Sequence, residues 1–262
     1  MKQLFFAILL FSLNAIGQNL KVNAIPLPGI AITADRFIGI DGLGYSYTVT
    51  NNVLVKQNNQ KSWQYKNIAS GKITSVDILN PLQLVLFYKE FNTVILLDNQ
   101  LNEIKRINFS ETAPDLFPQT ASLASQNRLW IFDLNTQKLG LYDITKQTFQ
   151  PISVTFKETL VSYQSDYNFF QWIDAQRNWS FCDVYGKTLS LGTIAEFDDA
   201  QLLENQTLLF RKEGQLYFYD AKKESYYTIN NIEKTYSSYL YKNQILSIFT
   251  TKGISNYKIN LP

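Results

Sequence analysis

Apolar runs of four or five residues recur along the chain. A short polar turn breaks each one, and a second apolar run follows that ends at or near an aspartate. The copies pair Leu84–Tyr88 with Val94–Asp98, Leu129–Phe132 with Leu139–Asp143, Phe169–Trp172 with Trp179–Asp183, Leu208–Phe210 with Leu216–Asp220, and Ile245–Phe249 with Ile254–Tyr257. An earlier, weaker copy pairs Tyr45–Val49 with Val53–Gln57. The anchors at 57, 98, 143, 183, 220 and about 259 are 41, 45, 40, 37 and 39 residues apart. β-branched and aromatic residues dominate, and no twelve-residue window keeps helical spacing. A strand-filled period near forty residues predicts a β-propeller of six blades. A β-sandwich explains the alternation but does not require the period.

Each blade is read as four strands, a to d from the axis outward. Blade one spans about Asp35 to Ile68, with strands at Phe37–Ile40, Tyr45–Val49, Val53–Gln57 and Ser62–Lys66. Blade two spans Lys72 to Phe109 and ends in the strand Glu103–Asn108. Blades three, four and five span Gln119 to Ser153, Thr159 to Gly192 and Asp199 to Asn230, and blade six starts near Thr235. Blade six has no fourth strand of its own. The strand-like Leu20–Ile25, stopped by Pro26-Leu27-Pro28-Gly29, is expected to pair beside its c strand and close the ring; the other reading leaves Leu20–Pro28 as a free arm.

Met1-Lys2, the apolar Leu4–Leu13 and the small Ala15 and Gly17 have the form of a secretory signal peptide. Residues 1–17 are therefore expected to be removed, leaving residues 18–262 as one propeller domain. No cysteine follows the apolar run, so no lipid anchor is expected there. These features place the protein in the periplasm. Removal of Lys2 leaves 23 basic against 22 acidic residues, without a basic run, which argues against a nucleic-acid partner. Histidine is absent, so Ser-His-Asp and Cys-His catalysis and the usual zinc sites are excluded. The single Cys182 reads as a small buried filler.

Candidate sites are few. Asp98, Asp143, Asp183 and Asp220 close the c strands, where a carboxylate caps the following turn. Asp41-Gly42-Leu43-Gly44 reads as a hairpin turn rather than a phosphate cradle. The region of Asp198, Asp199 and Glu204 lacks calcium-loop spacing. The longest connection, Ser110–Pro118, holds Leu116 and Phe117 between two prolines. The pair either offers a partner an apolar anchor or folds back over the core. Tyr226, Tyr227 and Tyr236, with Tyr239 and Tyr241, form a tyrosine-rich stretch suited to a partner or to strand packing. No metal or cofactor site is expected.

The phrase Asn80–Lys89 … Asn92–Asp98, together with the leader end Gly17-Gln18, resembles exported propeller proteins of Bacteroidota. Within that group the chain resembles the plug subunit of the type IX secretion translocon. The resemblance implies a non-enzymatic periplasmic propeller that docks to an outer-membrane complex and seals the inner mouth of a large barrel. Two other functions fit the same fold. One is a propeller that binds a glycan or peptide at its axial mouth, where Asp77, Tyr163 and Tyr239 would converge. The other is a carboxylate-dependent glycoside-processing enzyme, for which no paired carboxylates stand out.

Overall fold

The structure is a computed structural model that describes residues 20–262. The leader assigned to residues 1–17 lies outside the described residues. Six antiparallel sheets form a six-bladed propeller with four-stranded blades. The inner strands, which line the axis, are Arg36–Ile40, Ser75–Asp77, Pro118–Ala124, Leu160–Ser165, Asp199–Leu202 and Ser238–Lys242. The b and c strands of blades two and three are almost wholly buried, because neighbouring sheets cover both faces. This is why they read as unbroken apolar runs. Each sheet packs on the next through its own cluster, such as Trp130, Phe132, Phe170 and Trp172 between blades three and four.

The N-terminal segment closes the ring, in a different register from the expected one. Ile25–Ile30, which contains the presumed stop Pro26-Leu27-Pro28-Gly29, is itself the fourth strand of blade six and runs antiparallel to Gly253–Lys258. Proline is tolerated there because an edge strand need not donate outward. Leu20–Asn23 instead pairs in parallel with Tyr227–Asn230, giving blade five a fifth strand. Two glycines bring the closing backbones together. A Cβ on Gly29 would lie 2.7 Å from the Ile254 carbonyl oxygen, and one on Gly253 would lie 2.3 Å from that of Ile30. Gly253 also has φ +126°, a conformation other residues rarely adopt.

Asp turns repeat around the disc. Asp98 accepts N–H bonds from Gln100 and Asn102, and Asp143 from Thr145 and Lys146. Asp183 accepts from Tyr185 and Lys187, and Asp220 from Lys222 and Lys223. The turn-capping role expected of these four residues is what they perform. The Asn102 side chain holds the Asp98 carboxyl below its usual range, and the Lys146 N–H does the same for Asp143. Among the described residues helix is limited to single turns, such as Phe109–Thr112 after blade two.

Blade one departs from its neighbours by burying a cation. Lys56 Nζ donates to the Asn99 carbonyl at 2.8 Å and lies 4.0 Å from Asp41 Oδ2. The rings of Tyr45, Tyr47 and Trp63 surround it at 4.8 to 5.7 Å from their centroids. Burial lowers its pKa, and Asp41 and Asp98 pull it back up.

Two predictions follow from this architecture. Gly253→Ala should cost roughly 1–3 kcal/mol through backbone strain alone, and more through displacement of Ile30. Urea unfolding measures the loss; an unchanged midpoint refutes the role of this close approach. Burial pushes Tyr65 and Tyr236 up to about 12 and raises Tyr47, Tyr88 and Tyr239 as well. Below about pH 10, the ordinary tyrosine value, both states keep these protons. Above it the unfolded chain releases them and the folded chain does not, so stability falls between about pH 10 and 12. Tyrosinate absorbance during alkaline titration should therefore rise in two steps, the second coincident with unfolding.

Candidate docking surfaces

Beside the inner strand of blade one, apolar side chains from both neighbouring blades close in. A Cβ on Gly39 would lie 2.9 Å from Ile78 Cδ1 and 3.0 Å from Leu240 Cδ2. Asp77 accepts N–H bonds from Leu123 at 2.7 Å and Leu79 at 2.8 Å. Burial raises its pKa against these bonds and the positive charge of Lys242. The Tyr239 hydroxyl donates toward the carbonyls of Asp199 and Leu209. Asp77 and Tyr239, expected at a converging mouth, thus spend their polar atoms on joining neighbouring strands. Asp199 pairs with Arg211, which also donates to the Tyr236 carbonyl at 3.2 Å.

The five residues singled out as partner-binding do not come together. Leu116 is 4% exposed and sits in the core between blades two and three with Phe109, Ile131 and Tyr142. It is therefore not available to a partner. Phe117 is 46% exposed. Its backbone is pinned on both sides: its N–H donates to Asp133 Oδ1 and its carbonyl accepts from Leu134. Tyr226 and Tyr227 are adjacent in one strand and so project to opposite sides of blade five. Tyr226 stacks on Tyr219 at 4.4 Å, whereas Tyr227 packs near Phe218 and lines a shallow cleft of about 320 Å³ with Leu20 and Lys258. Tyr236 lies on the connection between blades five and six, against Tyr239 and Arg211.

Sequence reading missed a larger feature. The connections between blades and the b–c turns share one face of the disc. On that face Ile68, Phe91, Phe117, Leu134 and Val154 are exposed in consecutive order across blades one to four. They lie in successive loops of that face. Phe91 packs so closely on Gly71 that a Cβ there would meet its ring at 2.9 Å. The Asn92 carbonyl accepts from Phe109, opening the connection that carries Phe117. Phe117 is bonded to Leu134, and the Asn135 side chain donates to the Asp115 carbonyl. Each residue alone looks like an ordinary exposed apolar side chain, and only the ring places them on one face. The opposite face exposes Leu43, Leu82 and, on blade four, Tyr167, Phe169 and Tyr185.

Asp41 spends its carboxylate on the N–H groups of Leu43 and Tyr45 and the Tyr47 hydroxyl, as a hairpin turn requires. Cys182 is buried, and burial raises its thiol pKa. Among the described residues no cluster of three or more Cys, Asp or Glu could hold a metal ion, and no helix is long and apolar enough to cross a membrane.

No family profile matches the chain, and no curated protein matches it in sequence. Solved structures share its fold. Virginiamycin B lyase from Staphylococcus aureus superposes with a TM-score of 0.60 at 9% identity, covering 92% of this chain and 100% of the lyase. PorZ, a surface component of the type IX secretion system of Porphyromonas gingivalis, superposes at 0.52 with 13% identity over 86% of this chain. The match spans 32% of PorZ, about a third of that larger protein. A member of the DUF4221 family from Bacteroides vulgatus superposes at 0.57 with 8% identity, covering 92% of this chain and 96% of that one. At these identities the likeness shows the six-bladed fold and no more.

The split between Leu116 and Phe117 is open to test. Leu116→Ser should lower stability by about 3 kcal/mol, through a lost core side chain and a buried hydroxyl. Phe117→Ser should leave the urea midpoint nearly unchanged. Equal losses in both variants overturn the assignment of Phe117 to the surface.

Proposed function

We propose that the protein is a non-enzymatic, exported propeller that docks to an outer-membrane complex, and that this complex is the type IX secretion translocon, whose periplasmic mouth it seals. The apolar arc of Ile68, Phe91, Phe117, Leu134 and Val154 carries this reading. Several large apolar side chains exposed on one face of a rigid body suit a partner site. The resemblance to Bacteroidota exported propellers supports the choice of complex, as does the fold shared with PorZ. The non-enzymatic part rests on the sequence, which has no histidine for proton transfer. A glycan or peptide held at the axial mouth is supported less, because Asp77 and Tyr239 already bond within the fold.

The test is affinity purification of the tagged protein from detergent-solubilised envelope. A large outer-membrane barrel should co-purify. Phe117→Ser combined with Val154→Ser should reduce its recovery at least tenfold, since interface anchors contribute about 2 kcal/mol or more, while the melting temperature stays constant. Recovery of no outer-membrane protein, or full recovery with the double variant, overturns the reading.

A further inference from the structure

The outer strands of the blades present open sheet edges at the rim, and such edges invite pairing unless they are guarded. Five of the six are guarded. Ser62–Lys66 of blade one lies between Lys61 and Lys66. Glu103–Asn108 of blade two carries Glu103, Lys105 and Arg106. Thr148–Pro151 of blade three is only four residues long and ends in proline. The outer strand of blade five, Ser225–Asn230, is covered by Leu20–Asn23. Ile25–Ile30 of blade six has Pro26 and Pro28.

Blade four is the exception. Its outer strand, Thr188–Thr193, reads Thr-Leu-Ser-Leu-Gly-Thr, with no charge or proline inside it, although Lys187 precedes it, and five of its six residues are exposed. Its single irregularity, a register shift opposite Trp179 and Ser180, leaves Thr188, Leu189 and Ser190 in regular pairing with Cys182, Phe181 and Ser180. A second, independent feature lies beside it. Leu189 is 44% exposed and pairs with Phe181, whose ring meets that of exposed Phe169 edge-on at 5.7 Å. Tyr185, in the turn leading into the strand, is 89% exposed, and Tyr167 is exposed in the neighbouring turn. An unguarded hydrogen-bonding edge thus borders a patch of aromatic side chains.

We propose that the outer strand of blade four is a β-augmentation site that takes up an uncharged extended segment of a partner polypeptide, whose apolar side chains rest on Phe169, Tyr185 and Leu189. The free backbone groups of the edge supply affinity, and the patch supplies selectivity. The chain itself uses this mode one blade further on, where Leu20–Asn23 lies along the outer edge of blade five. Within the strand there is no charge to match a charged segment; Lys187 stands at its start. A second copy fits poorly. Two six-residue edges, each about 20 Å long, would join two discs over roughly 200 Å² per copy, well short of the ~800 Å² per partner of a stable interface. A flexible segment can follow the edge and also fold onto the aromatic patch.

The probe is the peptide acetyl-Thr-Val-Thr-Val-Thr-Val-amide, N-methylated at alternate residues so that it can pair on one side only. Bound to the mature protein, it should slow amide hydrogen exchange in residues 188–193 by roughly tenfold at saturation, and leave the edge at residues 62–66 unchanged. Thr188→Lys with Ser190→Lys, both at exposed positions, should abolish the protection without lowering the melting temperature. Tyr185→Ala should weaken binding while leaving the edge intact, which keeps the test valid if the double variant folds poorly. Absence of protection at 188–193, equal protection at 62–66, or binding that survives both sets of substitutions overturns the proposal. A concentration-dependent dimer protected at 188–193 without peptide also overturns it, by assigning the edge to a second copy.

Discussion

The disc depends on one seam, the pairing of Ile25–Ile30 with Gly253–Lys258. Apart from the added fifth strand of blade five, every other sheet is built from residues close in sequence, so its local contacts are reached at little entropic cost. The seam joins segments more than two hundred residues apart, and the register is set where Gly29 and Gly253 let the two backbones approach. Blade six then has its full width, and Phe249 can meet Phe37 of blade one at 6.1 Å. The order of the loops around each face follows from that closure. The apolar arc on one face and the guarded edges at the rim are therefore consequences of the seam as much as of the local sequence.

The buried lysine of blade one shows how the repeat tolerates local invention. The other c strands of blades two to five end in an aspartate that caps its own turn, whereas blade one has Gln57 at that place. Lys56 instead reaches to the Asn99 carbonyl, in the c–d turn of blade two. The link between these blades is thus a charge held by aromatic faces, a carboxylate and a carbonyl. A buried charge is tolerable only when all its partners are present, so the residues Asp41, Tyr45, Tyr47 and Trp63 form one unit.

The blades were legible because their b and c strands, most fully those of blades two and three, are buried on both faces, which writes apolar runs into the sequence at each turn of the repeat. The strand Glu103–Asn108 and the three outer strands of blade one appear within a residue of their expected bounds. The closing strand was misplaced because Pro-Leu-Pro-Gly reads as a stop, a rule that holds for central strands and fails at an edge. The site was less legible. Leu116 and Phe117 are neighbours with the same chemistry, yet one is core and the other surface, a difference decided by the Phe109–Thr112 turn and the bonds to Asp133. Tyr226 and Tyr227 are separated by the pleat of their own strand. Surface arcs and unguarded edges become visible only after the ring has brought distant loops and strands into one frame.

The two N-terminal strands also impose an order on assembly. During synthesis Leu20–Asn23 and Ile25–Ile30 appear first, but their partners, Tyr227–Asn230 and Gly253–Lys258, appear last. Sheets made of neighbouring hairpins can form as the chain emerges, since short loops close quickly. These two segments must wait unpaired through all of this. Their sequence suits the wait: Pro26 and Pro28 hinder pairing on one side, and Lys21 adds charge. The features that hid the closing strand from a sequence reader thus also keep it from pairing with the wrong edge before its own is made.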